Sequence, residues 1–438
     1  MRVLILGDGL SGKSAKVLLE QRGDEAVIYD DNKDISKSKP LGGFDLCVIS
    51  PGVPQNHPLA IKYADRLISE LDLAFMPQMT RNYKPVRYGY KKVIAVTGTN
   101  GKTTVVSSLH EIFGRKSILC GNVGVTATSI VKKMRKKFGI VEVSSFQLET
   151  PPKYFIPDIS VILNITQDHL ERHKTMDEYI ECKMRLRGKI SIMNWDDPVC
   201  RSHGTSDTLW YSTKEAVRGV YLDKGDIILN IGSLYEKCPI KRRGKIFSLD
   251  HKKLYNLSRI PHNISNFLAV VLVCTLMGVN KGRIIRGSEF NKYPHRLEYI
   301  GECGGRIFYN DSKSTNVASC IAACRSFDQT ISLIVGGVSK GQNFSELFVD
   351  LPGNVKNMFV IGQATEEIIN SSQGVKHLLD IRACKSLEDA VTLALAVDLD
   401  ECIILLSPAC ASFDMFENYI HRGEVFKQIA QTFINNNH

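Results

Sequence analysis

The sequence predicts an α/β protein of three domains: a Rossmann-like N-terminal domain, a central P-loop-type domain built on a parallel sheet, and a C-terminal Rossmann-like domain. Three observations carry that prediction. The chain has 438 residues, 43% of them hydrophobic and 23% charged, enough for several ordinary cores. Short apolar, β-rich runs alternate with helical periodicity along its whole length, the βαβ rhythm of parallel sheets. That rhythm breaks twice, at the basic and aromatic RNYKPVRYGYKK of 81–92 and at FNKYPHR of 290–296, so domains are expected at 1–90, 91–291 and 292–438.

In the first domain VLILG, KVLLEQRG, AVIYDD and LCVISPG read as strand, helix, strand and strand. The turn between the first two, ILGDGLSGKS, satisfies two phosphate-binding patterns at once. Gly7, Gly9 and Gly12 spell the G-x-G-x-x-G of a dinucleotide turn, while Gly7, Gly12, Lys13 and Ser14 spell the G-x-x-x-x-G-K-S of a triphosphate loop. Asp30 and Asp31 close the next strand, where a dinucleotide-type fold places an acid against a ribose or base edge, and Ser50, Pro51 and Gly52 end the strand after it. A nicotinamide-dependent oxidoreductase and a nucleotide-binding regulator both remain open at this point.

The central block offers strands near VIAVT, SILC, GIVEV, ISVILN and ISIMN, a strand-prone section over 208–250, and a helix over 264–277. Its loop VTGTNGKTT competes for the triphosphate role. Gly98 and Gly101 are two residues apart rather than four, yet the physical requirements are met: a buried strand, glycines that let backbone N–H groups approach phosphate, Lys102 for the β/γ oxygens and Thr103 as a magnesium ligand. Val105, Leu109 and Ile112 then give an apolar-faced helix whose positive end faces the anion. Glu142 sits in GIVEVSS, a run otherwise fit for a buried parallel strand, and His169 follows ILNITQD; ligands bind outside such strand ends, so both should converge on Lys102. Each could instead be a satisfied core group. In TMDEYIECKMRLRG, Lys183 falls on the apolar face with Met176, Tyr179 and Ile180, so it either snorkels or is modified or charge-paired in a site.

The last block again reads as a doubly wound unit, with ISLIVGG, NMFVIGQ and CIILLSP as buried strands. Fifty-six basic against 46 acidic residues give a net charge of +10, but the basic residues are scattered, which argues against nucleic-acid binding and fits anionic small molecules. Twelve cysteines without a C-x-x-C pair suggest neither a zinc ribbon nor a thioredoxin-like site, and point to a reducing cytoplasm. The chain opens on a strand-like run without a leader pattern, and its longest apolar stretch, FLAVVLVCTLMGV, is too short for a membrane span.

The motifs GTNGKTT (98–104), EVSSFQLE (142–149), DHLERH (168–173), PHR (294–296), NDSKSTN (310–316) and LSPACASFDMF (406–416) with a following RG (422–423) closely resemble the Mur ligases, in order and nearly end to end. Within them, SSFQLE and SPACASFD resemble the branch that adds D-glutamate. The resemblance implies an ATP-dependent, amide-forming ligase of cytoplasmic peptidoglycan precursor synthesis, a monomer acting on UDP-N-acetylmuramoyl-L-alanine, D-glutamate and ATP with two Mg²⁺ sites. It implies that Gly98, Thr99, Asn100, Gly101, Lys102, Thr103 and Thr104 hold the ATP phosphates, with Thr103 and Glu142 at one metal. His169 and a carbamylated Lys183 would hold the second, and Asn263, Asn266, Arg296, Asp311 and Lys313 would contact the rest of ATP. The UDP substrate would lie against Leu10, Ser11, Asp30, Asp31, Ser50 and Gly52, with Asn122, Ser144 and Gln147 lining the channel for its acyl end. Thr315, Lys340, Ser412 and Phe413 would shape the D-glutamate pocket, with Tyr419 nearby. On this reading 5–14 is a pyrophosphate turn and its triphosphate pattern is accidental. Two positions depart from the family pattern: Glu171 stands where Asp is commoner, and Ser339 where an acid often precedes the lysine.

Overall fold

A computed structural model describes residues 1–31, 43–79, 85–86, 92–134, 136–231, 243–248, 261–286, 294–372, 379–399 and 401–436. Most of the 81–92 and 290–296 interruptions lie outside the described residues. The remainder carries three main sheets, as the strand rhythm predicts.

The first sheet has four parallel strands in the order Glu25–Tyr29, Arg2–Leu6, Leu46–Ile49, Leu67–Ser69. Val3, Leu4, Ile5 and Leu6 are all buried, as expected of a strand covered on both faces. The central sheet has nine strands, and Val93–Thr97 lies between Phe138–Glu142 and Ile159–Ile162, all parallel. Its far edge, from Gly219–Asp223 through Asp226–Asn230 to Arg243–Ser248, turns antiparallel, which accounts for the less regular section over 208–250. The apolar run near 267 is the buried interior of the helix Pro261–Leu276, and no helix among the described residues is long and apolar enough to cross a membrane.

The third sheet has six strands, in the order Glu298–Cys303, Arg306–Asn310, Cys402–Leu406, Ile331–Gly336, Val355–Ile361, Asp380–Ala383. The chain makes Arg306–Asn310 and Ile331–Gly336 first and later inserts Cys402–Leu406 between them. Strand order therefore reverses there, and the ends of these three neighbours form the crevice where α/β sheets bind ligands. The edge hairpin Glu298–Cys303/Arg306–Asn310, the strand Asp380–Ala383 and the short strand Leu67–Ser69 have no counterpart in the sequence reading.

By contact density the described residues form two compact units. One takes its residues from 1–165, 177–254 and 264–288, the other from 166–176, 255–263 and 289–438. Within the first, the two sheets share an apolar core running from Val3, Ile5 and Leu18 to Val93, Ala95 and Val141. Two buried acids on the helix Glu70–Phe75 fasten them together. Glu70 Oε1 accepts from the N–H and hydroxyl of Thr128 at 2.7 and 2.6 Å, and the Asp72 carboxylate accepts the N–H groups of Lys153, Tyr154 and Phe155 at 2.8 to 3.1 Å. Bonds to a buried carboxylate contribute roughly 1.5–3 kcal/mol each. Burial raises the Glu70 pKa, and the Thr128 bonds pull it back down.

Candidate active site

The strand Val93–Thr97 delivers the loop 98–101 to the helix Lys102–Phe113. Gly101, at φ 84°, is the N-cap, and a Cβ there would lie 2.5 Å from Asn266 Oδ1, so only glycine fits beside that amide. Lys102 is the first helical residue, and its Nζ curls back to donate to the carbonyls of Gly98 and Thr99 at 2.8 Å. Lys183, 1% exposed, reaches the same place: its Nζ donates to Gly98 O at 2.9 Å and lies 4.6 Å over the Tyr179 ring. Tyr179 in turn shares a 3.0 Å hydrogen bond with Thr99. Two ammonium groups thus converge on one carbonyl oxygen, and Lys183 does not snorkel. Asn100 is locked to Asn164 by reciprocal bonds of 2.8 and 3.2 Å; Thr104 is buried and Thr103 half-buried in the first turn.

Glu142 pairs in register with Val96 on the neighbouring strand, which brings its carboxylate beside this loop. It is 2% exposed; Oε1 accepts from Asn122 Nδ2 at 2.9 Å, while Oε2 is buried with no hydrogen-bond partner. An orphaned carboxylate oxygen is costly in an apolar interior and suits a cation. Among the described residues no three His, Cys, Asp or Glu side chains cluster to cage a metal.

Asn122 also lines a cleft of about 610 Å³, together with Gly7–Ser11, Asp30, Asp31, Ser50–Pro54, His57 and Gln147. The two acids differ. Asp30 Oδ2 accepts from Asp8 N at 2.8 Å and so builds the turn. Asp31 faces His57 Nε2 at 3.2 Å, while His57 Nδ1 accepts from Leu59 N at 3.1 Å. That bond fixes the neutral tautomer with its proton on Nε2, so His57 donates to Asp31 and orients it. Sequence reasoning missed His57, whose signal was an HP pair opening a helix after SPG. Ser144 and Gln147 form a reciprocal capping box on the helix Ser145–Leu148, with Gln147 also facing the cleft.

The second unit holds the other expected residues. His169, at φ 57°, lies 3.4 Å from Glu171 Oε1, so the departure to Glu171 keeps a carboxylate beside the imidazole. Asp168 gathers Lys340 Nζ at 3.6 Å and Asn316 Nδ2 at 3.1 Å, and Lys340 reaches Thr315 Oγ1 at 3.5 Å. Asp311 is buried, accepting from Leu297 N and Ser407 Oγ at 3.3 and 2.9 Å; burial raises its pKa to about 6, against the bonds from Ser314 and Ser407 and the nearby Arg296. Lys313 Nζ lies 5.3 Å over the Tyr419 ring. Asn263 is buried at the start of the helix that carries Asn266, and Ser412 is buried in its loop. Phe413, next to Ser412 in the chain, is 73% exposed. Asp168 and Arg422 fall inside the DHLERH and RG motifs but were given no role of their own, and Gln342 was not given one either: Gln342 bonds Val317 N and Ala409 O, and Arg422 is fully buried.

A family profile described as the Mur ligase middle domain matches residues 96–274, and one described as the Mur ligase, glutamate ligase domain matches 295–410. UDP-N-acetylmuramoylalanine--D-glutamate ligase of Acidobacterium capsulatum is 34% identical, covering 98% of this chain and 96% of its own. The chain belongs to the Mur ligase family. Solved members of the same fold are far more distant in sequence. The pseudomurein peptide ligase type C from Methanothermus fervidus is 18% identical over 99% of both chains, with a TM-score of 0.60. The Mur ligase of Thermotoga maritima called MurF, solved with ADP, is 18% identical over 89% of this chain and 90% of that one, at 0.53. The three-sheet architecture is that of a Mur ligase, and the relatives span its full length.

Proposed function

We propose that the protein is a cytoplasmic, monomeric, ATP-dependent ligase that adds D-glutamate to UDP-N-acetylmuramoyl-L-alanine in peptidoglycan precursor synthesis, with functional domains at 1–90, 91–291 and 292–438. One observation carries the reading: Asn122 both lines the cleft of the glycine turn and bonds Glu142 beside the phosphate loop. A nucleotide-bound substrate seated in that cleft would present its far end to the ATP γ-phosphate. The curated Acidobacterium relative carries the name of this activity over nearly the whole chain.

In this reading Gly98–Thr104 bind the phosphates, while Asn263, Asn266, Arg296, Asp311 and Lys313 bind the rest of ATP. Leu10, Ser11, Asp31, Ser50 and Gly52 hold the UDP group, with Asp30 shaping the turn. Ser144 and Gln147 border the acyl end, and Thr315, Lys340 and Ser412 take the amino acid, with Phe413 and Tyr419 at its edge. The substrate carboxylate attacks the γ-phosphate to give an acyl phosphate and ADP; the D-glutamate amine then attacks that carbonyl, losing a proton and expelling phosphate as the amide forms. Lys102 neutralises charge on the transferring phosphoryl group, the electrostatic contribution that dominates such chemistry.

The orphaned Glu142 oxygen fits a divalent cation. Thr103 and Glu142 would hold one Mg²⁺, His169 and Lys183 a second, and the ions would offset phosphate charge. For Lys183 this requires the carbamate, which forms when the amine adds CO₂ and releases a proton. The physical support is the pair of ammonium groups on Gly98 O: carbamylation turns their repulsion into attraction. The test of the whole reading is phosphate release from ATP with UDP-N-acetylmuramoyl-L-alanine, one amino acid at a time. D-glutamate should stimulate it, and equal stimulation by L-glutamate or D-alanine would remove the assignment.

A further inference from the structure

At the switch point of the third sheet lies an arginine with no carboxylate partner. Arg422 is 0% exposed, the largest fully buried side chain among the described residues. Its Nε donates to Ser312 Oγ at 3.0 Å, and its terminal nitrogens reach the carbonyls of Ser312 at 2.9 Å, Cys410 at 3.1 Å, and Gly336 and Ala411 at 3.4 Å. Ser312 stands on the loop after Arg306–Asn310, Cys410 and Ala411 on the loop after Cys402–Leu406, and Gly336 ends the neighbouring strand Ile331–Gly336 where the third loop begins. The same loops carry Thr315, Ser412 and Lys340, the residues read above as the amino-acid pocket.

No carboxylate among the described residues lies within ion-pair distance of this guanidinium. It also occupies the first turn of the helix Tyr419–Asn436, the end where the helix dipole disfavours a cation. Burial accordingly lowers its pKa to about 10. A buried cation in that position is retained against a cost. Asp414 and Asp311 lie near enough to favour the charge without pairing with it, so a dicarboxylate bound beside these loops would supply the counter-charge that no group of the chain supplies in contact.

We propose that Arg422 is the positioning residue of the amino-acid pocket, holding its three loops in register and supplying a fixed cation whose counter-charge is the dicarboxylate substrate. This rests on the reading of the second unit as the D-glutamate site. Nearby restraints support the positioning role. Val338 and Ala411 exchange backbone bonds of 2.8 and 3.1 Å, Ser312 Oγ donates to Tyr419 O at 2.8 Å, and Ala409 is held at φ 57°, a strained value for alanine. Removing the guanidinium releases all three loops together and also takes away the charge.

The two contributions separate in steady-state kinetics on the full chain with Arg422→Met and Arg422→Lys. Arg422→Met should raise the D-glutamate KM at least about 30-fold while the KM values for ATP and the UDP substrate stay within about 3-fold. It should also shrink the preference for D-glutamate over D-glutamine, in kcat/KM, by about 10-fold or more, because the lost group is a charge. Arg422→Lys keeps the cation, so it should hold that preference and recover part of the KM. Equal losses for all three substrates, or an unchanged D-glutamate preference in Arg422→Met, overturn the proposal. If Arg422→Met does not fold, Arg422→Lys decides alone: a preference that falls with the charge retained overturns it, and a preference held despite a raised KM supports it. A wild-type protein that ignores D-glutamate would instead remove the assignment on which the inference rests.

Discussion

The turn at 7–12 and the loop at 98–104 each join the first strand of a parallel sheet to the helix behind it, and each carries a lysine followed by a hydroxyl residue. They differ in where the helix begins. The first helix starts at Leu10, so Lys13 is its fourth residue and exposed, while Gly12 packs so closely that a Cβ would meet Gly7 O at 1.9 Å. The second helix starts at Lys102 itself, and that side chain folds over its own loop onto two carbonyls. On the proposed function, the lysine placed to meet a phosphate is the one at the helix start, and a pattern of spacings that ignores the helix boundary would select the other loop.

The largest expected effect sharpens the second loop. Lys183→Arg keeps a positive charge but cannot form a carbamate, so kcat should fall about 10³-fold, measured by phosphate release; near-normal turnover would show that a cation suffices there. Next come the two glycines. Gly101→Ala, forced to φ 84° against Asn266, should lower kcat/KM for ATP about 100-fold and leave the UDP substrate KM nearly unchanged. Gly12→Ala should do the reverse, and a shared effect on both substrates would erase the division of labour between the turns. Lys340→Ala, which removes a cation facing a carboxylate, should raise the D-glutamate KM about 50-fold with the ATP KM steady.

The smallest effect concerns Asp311, which the resemblance assigns to ATP. Its folded pKa, about 6, lies above the ordinary carboxylate value near 4, so the folded state binds the proton more tightly. The resulting stability is full below about pH 4 and is lost as the pH rises through about 6, a swing of about 3 kcal/mol. Urea titrations at pH 4.5 and 7 should show most of that difference in the wild type and little of it in Asp311→Asn.

Much of the architecture was legible because buried parallel strands read as continuous apolar runs: VIAVT, GIVEV, ISLIVGG and CIILLSP all became central strands. Glu142 was visible for a related reason, a charge set in an apolar run, and Lys183 because helical spacing put it on an apolar face. The short strand Leu67–Ser69 and the hairpin around Gly304 and Gly305 were not, since three residues hold no period and an edge pair mixes polar with apolar positions. Glu70, Asp72, His57 and Arg422 each depend on a partner far along the chain, as His57 does on Asp31 and Arg422 on Ser312. No local pattern encodes such pairings.

The central claim, that 98–104 and not 7–14 handles ATP, is tested most directly by the paired variants Lys102→Ala and Lys13→Ala, with kcat and both nucleotide KM values measured for each. Lys102→Ala should cut kcat by at least about 100-fold, the loss expected of one preorganised charge on the transferring phosphate. Lys13→Ala should leave kcat and the ATP KM within about 3-fold of normal, with any change confined to the UDP substrate. Abolished ATP turnover in Lys13→Ala beside a tolerated Lys102→Ala would contradict the account.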